Sequence, residues 1–210
     1  DIMEMHEKSK FSNYPLHSIA HAFSGLSLES KQKVICLAID QGPDNILKTS
    51  YDYNYHYLGI KYENGIVSSP VPMQSPAMIW FELSEIIGLK EGTLMALTNA
   101  STCKFSKSNC IIGELMKLNL YDSRNLCVMK DLLKKTYDFF IASIRGDASK
   151  YFNCFDRNFS KEDNAISALM KIVQEFSMKC MENNVNAIIE KFEIVPSEYA
   201  LAITGGYALN

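Results

Sequence analysis

An unbroken apolar run at residues 34–39, which ends at Asp40, constrains the fold more than any other stretch of the chain. A run of this length is typical of a strand, and the absence of polar alternation indicates that both faces of the strand are buried. The chain therefore needs a sheet in which this strand is covered on both sides. We predict a strand over residues 33–40.

Helical and extended patterns follow each other along the rest of the chain. Pro15 is typical of a helix start and predicts a helix over 16–28. Tyrosines alternate with polar residues over 51–57, which predicts a strand, and Asn64-Gly65 predicts the turn of a hairpin. Further helices are predicted over 77–87, 126–144 and 165–181 (with a continuation or a restart over 183–191), a surface loop over 98–110, and a last strand over 199–204.

This order of strands, then helices, then a strand predicts a mixed fold of the α/β or α+β class, with helices packed on a mixed sheet. No linker rich in Pro, Gly and Ser divides the chain, so we expect residues 1–210 to form a single structural unit.

The composition excludes several classes of protein. A formal net charge of -3 without a basic stripe argues against a nucleic-acid partner. No apolar run approaches the roughly 20 residues that span a bilayer, and the polar first residues are no signal peptide, so we expect a cytoplasmic protein without a membrane partner. The six cysteines form no Cys-x-x-Cys pair, which favours reduced thiols over a disulfide framework.

A metal site is one interpretation of His17, His21 and Asp40. Residues four apart on a helix lie on the same face, so the two imidazoles are neighbours. A carboxylate at the end of a buried strand can meet them, and two imidazoles with one carboxylate suit a divalent metal. The alternative is a pair of half-exposed histidines, or a single core histidine bonded to the backbone.

The pair Gly205-Gly206 directly follows the last predicted strand. Glycines in this position allow either a close approach of phosphate or adenosine to the backbone or a plain left-handed turn. The pattern alone leaves both interpretations open.

The order and spacing of five blocks carry a resemblance to a known family: residues 17–25, 34–40, 86–97, 163–168 and 202–210. Together they resemble the carbamoyltransferase family of nodulation and antibiotic-tailoring enzymes, whose main domain is similar to the tRNA threonylcarbamoyladenosine enzyme. The resemblance implies an α/β fold of the actin-like (ribonuclease H-like) ATPase superfamily. It also implies that residues 1–210 are an internal fragment of a longer enzyme, without its N-terminal phosphate-loop segment and C-terminal regions, and inactive alone.

The same resemblance implies an activity and a site. His17, His21 and Asp40 would bind a divalent metal, iron in that family, and Gly205, Gly206 and Asn210 would contact the adenylate of ATP. An O-carbamoyltransferase would use carbamoyl phosphate and ATP to make a carbamoyl-adenylate, and would pass the carbamoyl group to the hydroxyl of a small-molecule acceptor. The blocks identify no catalytic residue and no oligomeric state.

Three positions depart from the family pattern: Ser18 replaces a histidine, Gln41 a glycine and Thr93 a lysine. The lysine matters most, because it can neutralise phosphate. These departures favour a second hypothesis, in which the chain is a non-catalytic relative that binds a nucleotide or a partner.

Overall fold

A computed structural model describes residues 5, 8–28, 31–40, 53, 55–121 and 126–209. By the contacts among them, the chain divides into two compact units. The first contains Asp1–Met78, Asn119–Ser123 and Cys180–Asn210, and the second contains Ile79–Leu118 and Arg124–Lys179. That residues 1–210 form one structural domain stays a prediction.

The first unit is built on a mixed sheet of five strands in the described part of the chain: β1 (Lys33–Ala38), β2 (Leu58–Glu63), β3 (Ile66–Val67), β4 (Val71–Pro72) and β5 (Ala200–Thr204). β1 runs antiparallel to β2 and parallel to β5. β3 and β4 pair with the other edge of β2. The predicted α/β class with a mixed sheet is therefore confirmed.

β1 is the inner strand that the apolar run predicts. Its residues from Val34 to Ala38 are all buried, because β2 and β5 cover both of its edges and side chains cover both of its faces. The strand ends at Ala38, but the backbone N–H of Ile39 still donates to the carbonyl of Thr204 at 2.9 Å. This bond carries the parallel pairing to the residue before Asp40.

Helix α1 (Leu16–Leu28) matches the predicted range and packs on β1 and β5. Gly25 allows the close approach: a Cβ atom there would lie 2.6 Å from the sulfur of Cys36 and 2.7 Å from the methyl carbon of Thr204. The hydroxyl of Thr204 also donates to the carbonyl of His21 at 3.0 Å. These contacts fix the position of the helix above the ends of both strands.

The tyrosine alternation does not form a strand, and that prediction is wrong for the residues described there. Tyr53, His56 and Tyr57 are all buried, although a strand with one solvent face would expose His56. The backbone at His56 bonds outside any ladder: its N–H donates to the carbonyl of Tyr121, and its carbonyl accepts the hydroxyl of Ser18. Tyr51 lies outside the described residues.

The predicted hairpin turn is confirmed between β2 and β3. Asn64 and Gly65 have φ of 50° and 86°. Two consecutive residues with positive φ are typical of the two-residue hairpin turn that Asn-Gly favours.

The second unit is helical in its described residues: α2 (Ala77–Ile87) from residue 79, α3 (Glu91–Leu97), α4 (Ser108–Leu115), α5 (Leu126–Ser143) and α6 (Lys161–Phe192) to residue 179. The predicted helices over 77–87 and 126–144 are confirmed, and α6 is one continuous helix that includes both predicted C-terminal segments. The predicted surface loop over 98–110 is wrong in part, because Cys103 and Phe105 are buried. No helix in the described ranges has both the length and the apolar character needed to cross a bilayer.

Candidate metal centre

Three elements of the first unit bring the candidate site together. Because β1 and β5 are parallel neighbours, with Ala38 opposite Thr204, their carboxyl ends lie at the same edge of the sheet. Ligand sites of open α/β sheets occur at this edge. Asp40 and Gly205 leave the two strands there, and the first two turns of α1 lie beside them.

The three predicted metal ligands converge on one point. The Nε2 atom of His17 lies 3.0 Å from Oδ2 of Asp40, and Nε2 of His21 lies 3.2 Å from the same oxygen. The two Nε2 atoms are 3.1 Å apart. Hydrogen bonds with one proton each can account for at most two of these three contacts. A cation placed between the three atoms would be attracted by a lone pair on each of them.

This donor set fits a divalent transition metal. Ligand atoms about 2.1 Å from an octahedral ion are about 3.0 Å from their neighbours, close to the spacing of the three donor atoms. Two histidines and one carboxylate on a single face of such an ion leave its other positions open. The side chains of His17, His21 and Asp40 are 26, 32 and 20% exposed, so each of the three is partly accessible to solvent.

The second carboxylate oxygen of Asp40 has a different partner. Its Oδ1 atom accepts the backbone N–H of Gly206 at 3.1 Å. The backbone carbonyl of Asp40 accepts the hydroxyl of Ser75. The side chain is therefore oriented from the turn after β5, so that Oδ2 is left to face the histidines.

The double glycine is required by its contact with the end of β1. Gly205 has φ of +92°, and a Cβ atom on it would lie 2.2 Å from the carbonyl oxygen of Ile39. A Cβ atom on Gly206 would lie 2.8 Å from Oδ1 of Asp40. The left-handed turn is thus observed, while adenylate contacts at Gly205 and Gly206 stay a prediction. Asn210 lies outside the described residues.

Two of the three positions that depart from the family pattern lie in the described residues, and neither belongs to the candidate triad. Ser18 is buried, and its hydroxyl donates to the carbonyl of His56. Thr93 is exposed on α3 in the second unit, and Gln41 lies outside the described residues.

Sequence reasoning missed two residues that support the site, Thr204 and Ser75. Thr204 is signalled only by its place between a strand and the glycine pair. Ser75 has no signal in the sequence, because it lies far along the chain from the aspartate that it contacts.

Comparisons with protein-family models and with curated proteins gave no match to this chain. The geometry of the site and the resemblance of its motifs are therefore the only indications of function.

Proposed function

We propose that His17, His21 and Asp40 form a divalent metal site, with iron as the resident metal. The observation that carries this proposal is the convergence of three donor atoms, each within 3.2 Å of the other two, on the exposed side of one sheet edge. Once bound, the metal would supply Lewis-acid polarisation of a carbonyl or phosphoryl oxygen.

We further propose that this site belongs to an O-carbamoyltransferase with an actin-like ATPase fold. Its substrates would be carbamoyl phosphate, ATP and a hydroxyl acceptor, with a carbamoyl-adenylate as the intermediate. Two features support the proposal: the order of the five motif blocks, and the meeting of the histidine pair, Asp40 and the glycine turn at one end of two parallel strands.

Each element of the chain would have a defined part in that reaction. α1 and β1 would hold the metal ligands, and the glycine turn would present bare backbone to the adenylate. The N–H of Gly206 already donates to Asp40, so the adenylate would meet the Cα surface of the turn rather than this donor. Positioning of the reactants would be the main contribution of the turn.

Elemental analysis tests the metal proposal first. The wild-type chain, reconstituted with ferrous iron under anaerobic conditions, is expected to retain about one metal ion per chain after desalting. The variants His17→Ala, His21→Ala and Asp40→Asn each remove one donor and are expected to retain less than a tenth of it. His6→Ala is the matched control, because it removes a histidine outside the triad and should leave the metal content unchanged.

Retention of metal in both histidine variants would overturn the metal assignment. Loss of metal in His6→Ala would contradict the assignment of the site to these three residues, because it would show that a further histidine is needed.

A second candidate function is a metal- and nucleotide-binding protein without transferase activity. The observation that favours it is Ser18, whose hydroxyl is bonded inside the core where the family has a histidine. The metal-loaded full-length protein, of which this chain is expected to be a fragment, is incubated with ATP and carbamoyl phosphate and assayed for carbamoyl-adenylate. Formation of this product supports the transferase, and binding of ATP without it supports the second candidate.

A further inference from the structure

We propose that Cys103 and Cys154, in the second unit, are a site of oxidative modification: a hydroperoxide converts them into a disulfide. This pair plays no part in the metal site. Two short segments carry the proposal, residues 101–106 and residues 151–156, which lie antiparallel to each other.

Hydrogen bonds between these segments bring the two cysteines close together. Phe105 and Phe152 form an antiparallel bridge. On one side of this bridge the N–H of Ser106 donates to the carbonyl of Tyr151, and on the other side the N–H of Asn153 donates to the carbonyl of Lys104.

This hydrogen-bond pattern makes the two phenylalanines a pair without mutual hydrogen bonds, the type in which side chains come closest. Their ring centroids are 5.3 Å apart. The bridge is isolated, but Lys104 and Asn153 are joined a second time, because the N–H of Lys104 donates to the side-chain Oδ1 of Asn153 at 2.6 Å. Cys103 and Cys154 are the next residues on that side of the bridge.

Disulfides span Cα atoms about 4.4–6.8 Å apart. The backbone hydrogen bond from Asn153 to Lys104 holds the two segments close together directly beside the cysteines. The sulfur of Cys154 is 3.8 Å from the hydroxyl of Thr102, the neighbour of Cys103. The Cys154 thiol therefore lies against the segment that contains Cys103.

Helix α6 holds the Cys103 segment in place. The ammonium group of Lys171 donates to the carbonyls of Ser101 and Cys103, the latter at 2.7 Å. The amide oxygen of Asn164 accepts the hydroxyl of Ser101 at 2.6 Å and the N–H of Asp156 at 2.8 Å. One side chain of the helix thus ties both segments together, which keeps the thiols close in the reduced protein.

The two thiols differ in their exposure to solvent, and this difference determines which of them reacts first with the peroxide. Cys154 is exposed, while Cys103 is fully buried. Burial, together with the negative charge of a neighbouring Cys154 thiolate, raises the pKa of Cys103 to about 11. Cys154 is therefore the thiol that meets a peroxide in solution.

In the first step the Cys154 thiolate attacks a peroxide oxygen, an S–O bond forms and the O–O bond breaks. The sulfur is oxidised to a sulfenic acid. When the oxidant is hydrogen peroxide, the leaving group is hydroxide, which takes up a proton and becomes water. In the second step the sulfur of Cys103 attacks that of Cys154. The S–S bond forms, the S–O bond breaks, and hydroxide leaves with the thiol proton of Cys103 as water.

Peptide mapping of the whole chain tests the proposal, because trypsin places the four cysteines of this unit in different peptides: Cys103 in 91–104, Cys110 in 108–117, Cys127 in 125–130 and Cys154 in 151–157. After hydrogen peroxide treatment and non-reducing digestion, we expect peptide 91–104 linked to 151–157, with the loss of two hydrogen atoms. The Cys110→Ser variant is the matched control, since it removes another exposed thiol and should give the same linked pair.

Two variants separate the steps. In Cys103→Ala the sulfenic acid on Cys154 has no partner, so its dimedone adduct should rise at least tenfold over wild type at equal peroxide. In Cys154→Ser neither the adduct nor the linked pair should form. Circular dichroism shows whether each variant is folded.

Three results would overturn the proposal in folded protein: over-oxidation of Cys154 without the linked pair, a link from Cys154 to Cys110, or a disulfide between two chains through Cys154.

Discussion

At the scale of single residues, Asp40 and the glycines around it decide the geometry of the metal centre. The aspartate divides its two oxygens between the histidines and the N–H of Gly206. Gly205 makes that division possible, because only a residue without Cβ fits against the carbonyl of Ile39 with positive φ.

Gly205→Ala is expected to destabilise the chain by about 2–4 kcal/mol, from the left-handed backbone penalty plus the clash with Ile39. The free energy of unfolding in urea measures the change. Gly65→Ala is the matched control: its φ is also positive, but nothing lies within 4 Å of its Cβ position, so it should cost only about 1–2 kcal/mol. Equal losses in the two variants would contradict the role of the contact with Ile39.

At the scale of elements, polar and charged side chains connect the end of β2 with the starts of β1 and β5, at the end of the sheet opposite to the candidate site. The carboxylate of Glu63 at the end of β2 lies 3.0 Å from the ammonium of Lys61 and 3.2 Å from that of Lys33 on β1, and it accepts the hydroxyl of Tyr199 before β5 at 2.9 Å. The hydrogen bonds from Lys61, Tyr199 and Lys33 lower the pKa of Glu63 to about 2.

A lowered pKa in the folded state means that this cluster stabilises the fold above the ordinary Glu pKa and loses that contribution as the pH falls toward 2. We expect Glu63→Gln to lose less stability than wild type when the pH is lowered from 5 to about 2.5. Urea midpoints at both pH values measure the difference. Glu114→Gln, at an exposed helical ion pair with Lys117, should behave as wild type. The same loss in Glu63→Gln and wild type would refute the expectation.

The elements also show what the sequence can predict. The apolar run at 34–39, Asn64-Gly65 and the long helical patterns are local signals, and the structure has the strand, the turn and the helices there. The tyrosine alternation misleads because His56 bonds to Tyr121 and Ser18, which are distant in sequence. The surface-loop prediction fails at Cys103 and Phe105 for the same reason: their burial depends on residues 151–156 and on α6.

In the candidate site, too, local features could be predicted from the sequence and contacts between distant residues could not. The spacing of His17 and His21 on one helix is a local property, and the convergence of these residues with Asp40 is what the pattern predicts. The second partner of Asp40 could not be predicted, since the parallel pairing of β1 with β5 brings together residues more than 160 positions apart.

At the scale of the whole molecule, the proposed metal site would link metal binding to stability, because the triad exists only when α1, β1 and β5 are assembled. With free ferrous iron at 100 times the Kd, the free energy of unfolding of the first unit should rise by about 2.7 kcal/mol. Thermal unfolding with and without metal measures the shift, and chelator should reverse it. His17→Ala should show no shift, and an equal shift in that variant would place the stabilising metal elsewhere.

The shared carboxylate of Asp40 has a thermodynamic consequence. A ligand that displaces the Gly206 N–H from Oδ1 changes the orientation, and hence the metal affinity, of Oδ2. By reciprocity a metal bound at Oδ2 would change the affinity of the turn for that ligand by the same factor. With the proposed metal in place, the glycine turn and the histidine pair would be two ends of one coupled equilibrium, and a dissociation constant measured at either end would have meaning only with the occupancy of the other specified.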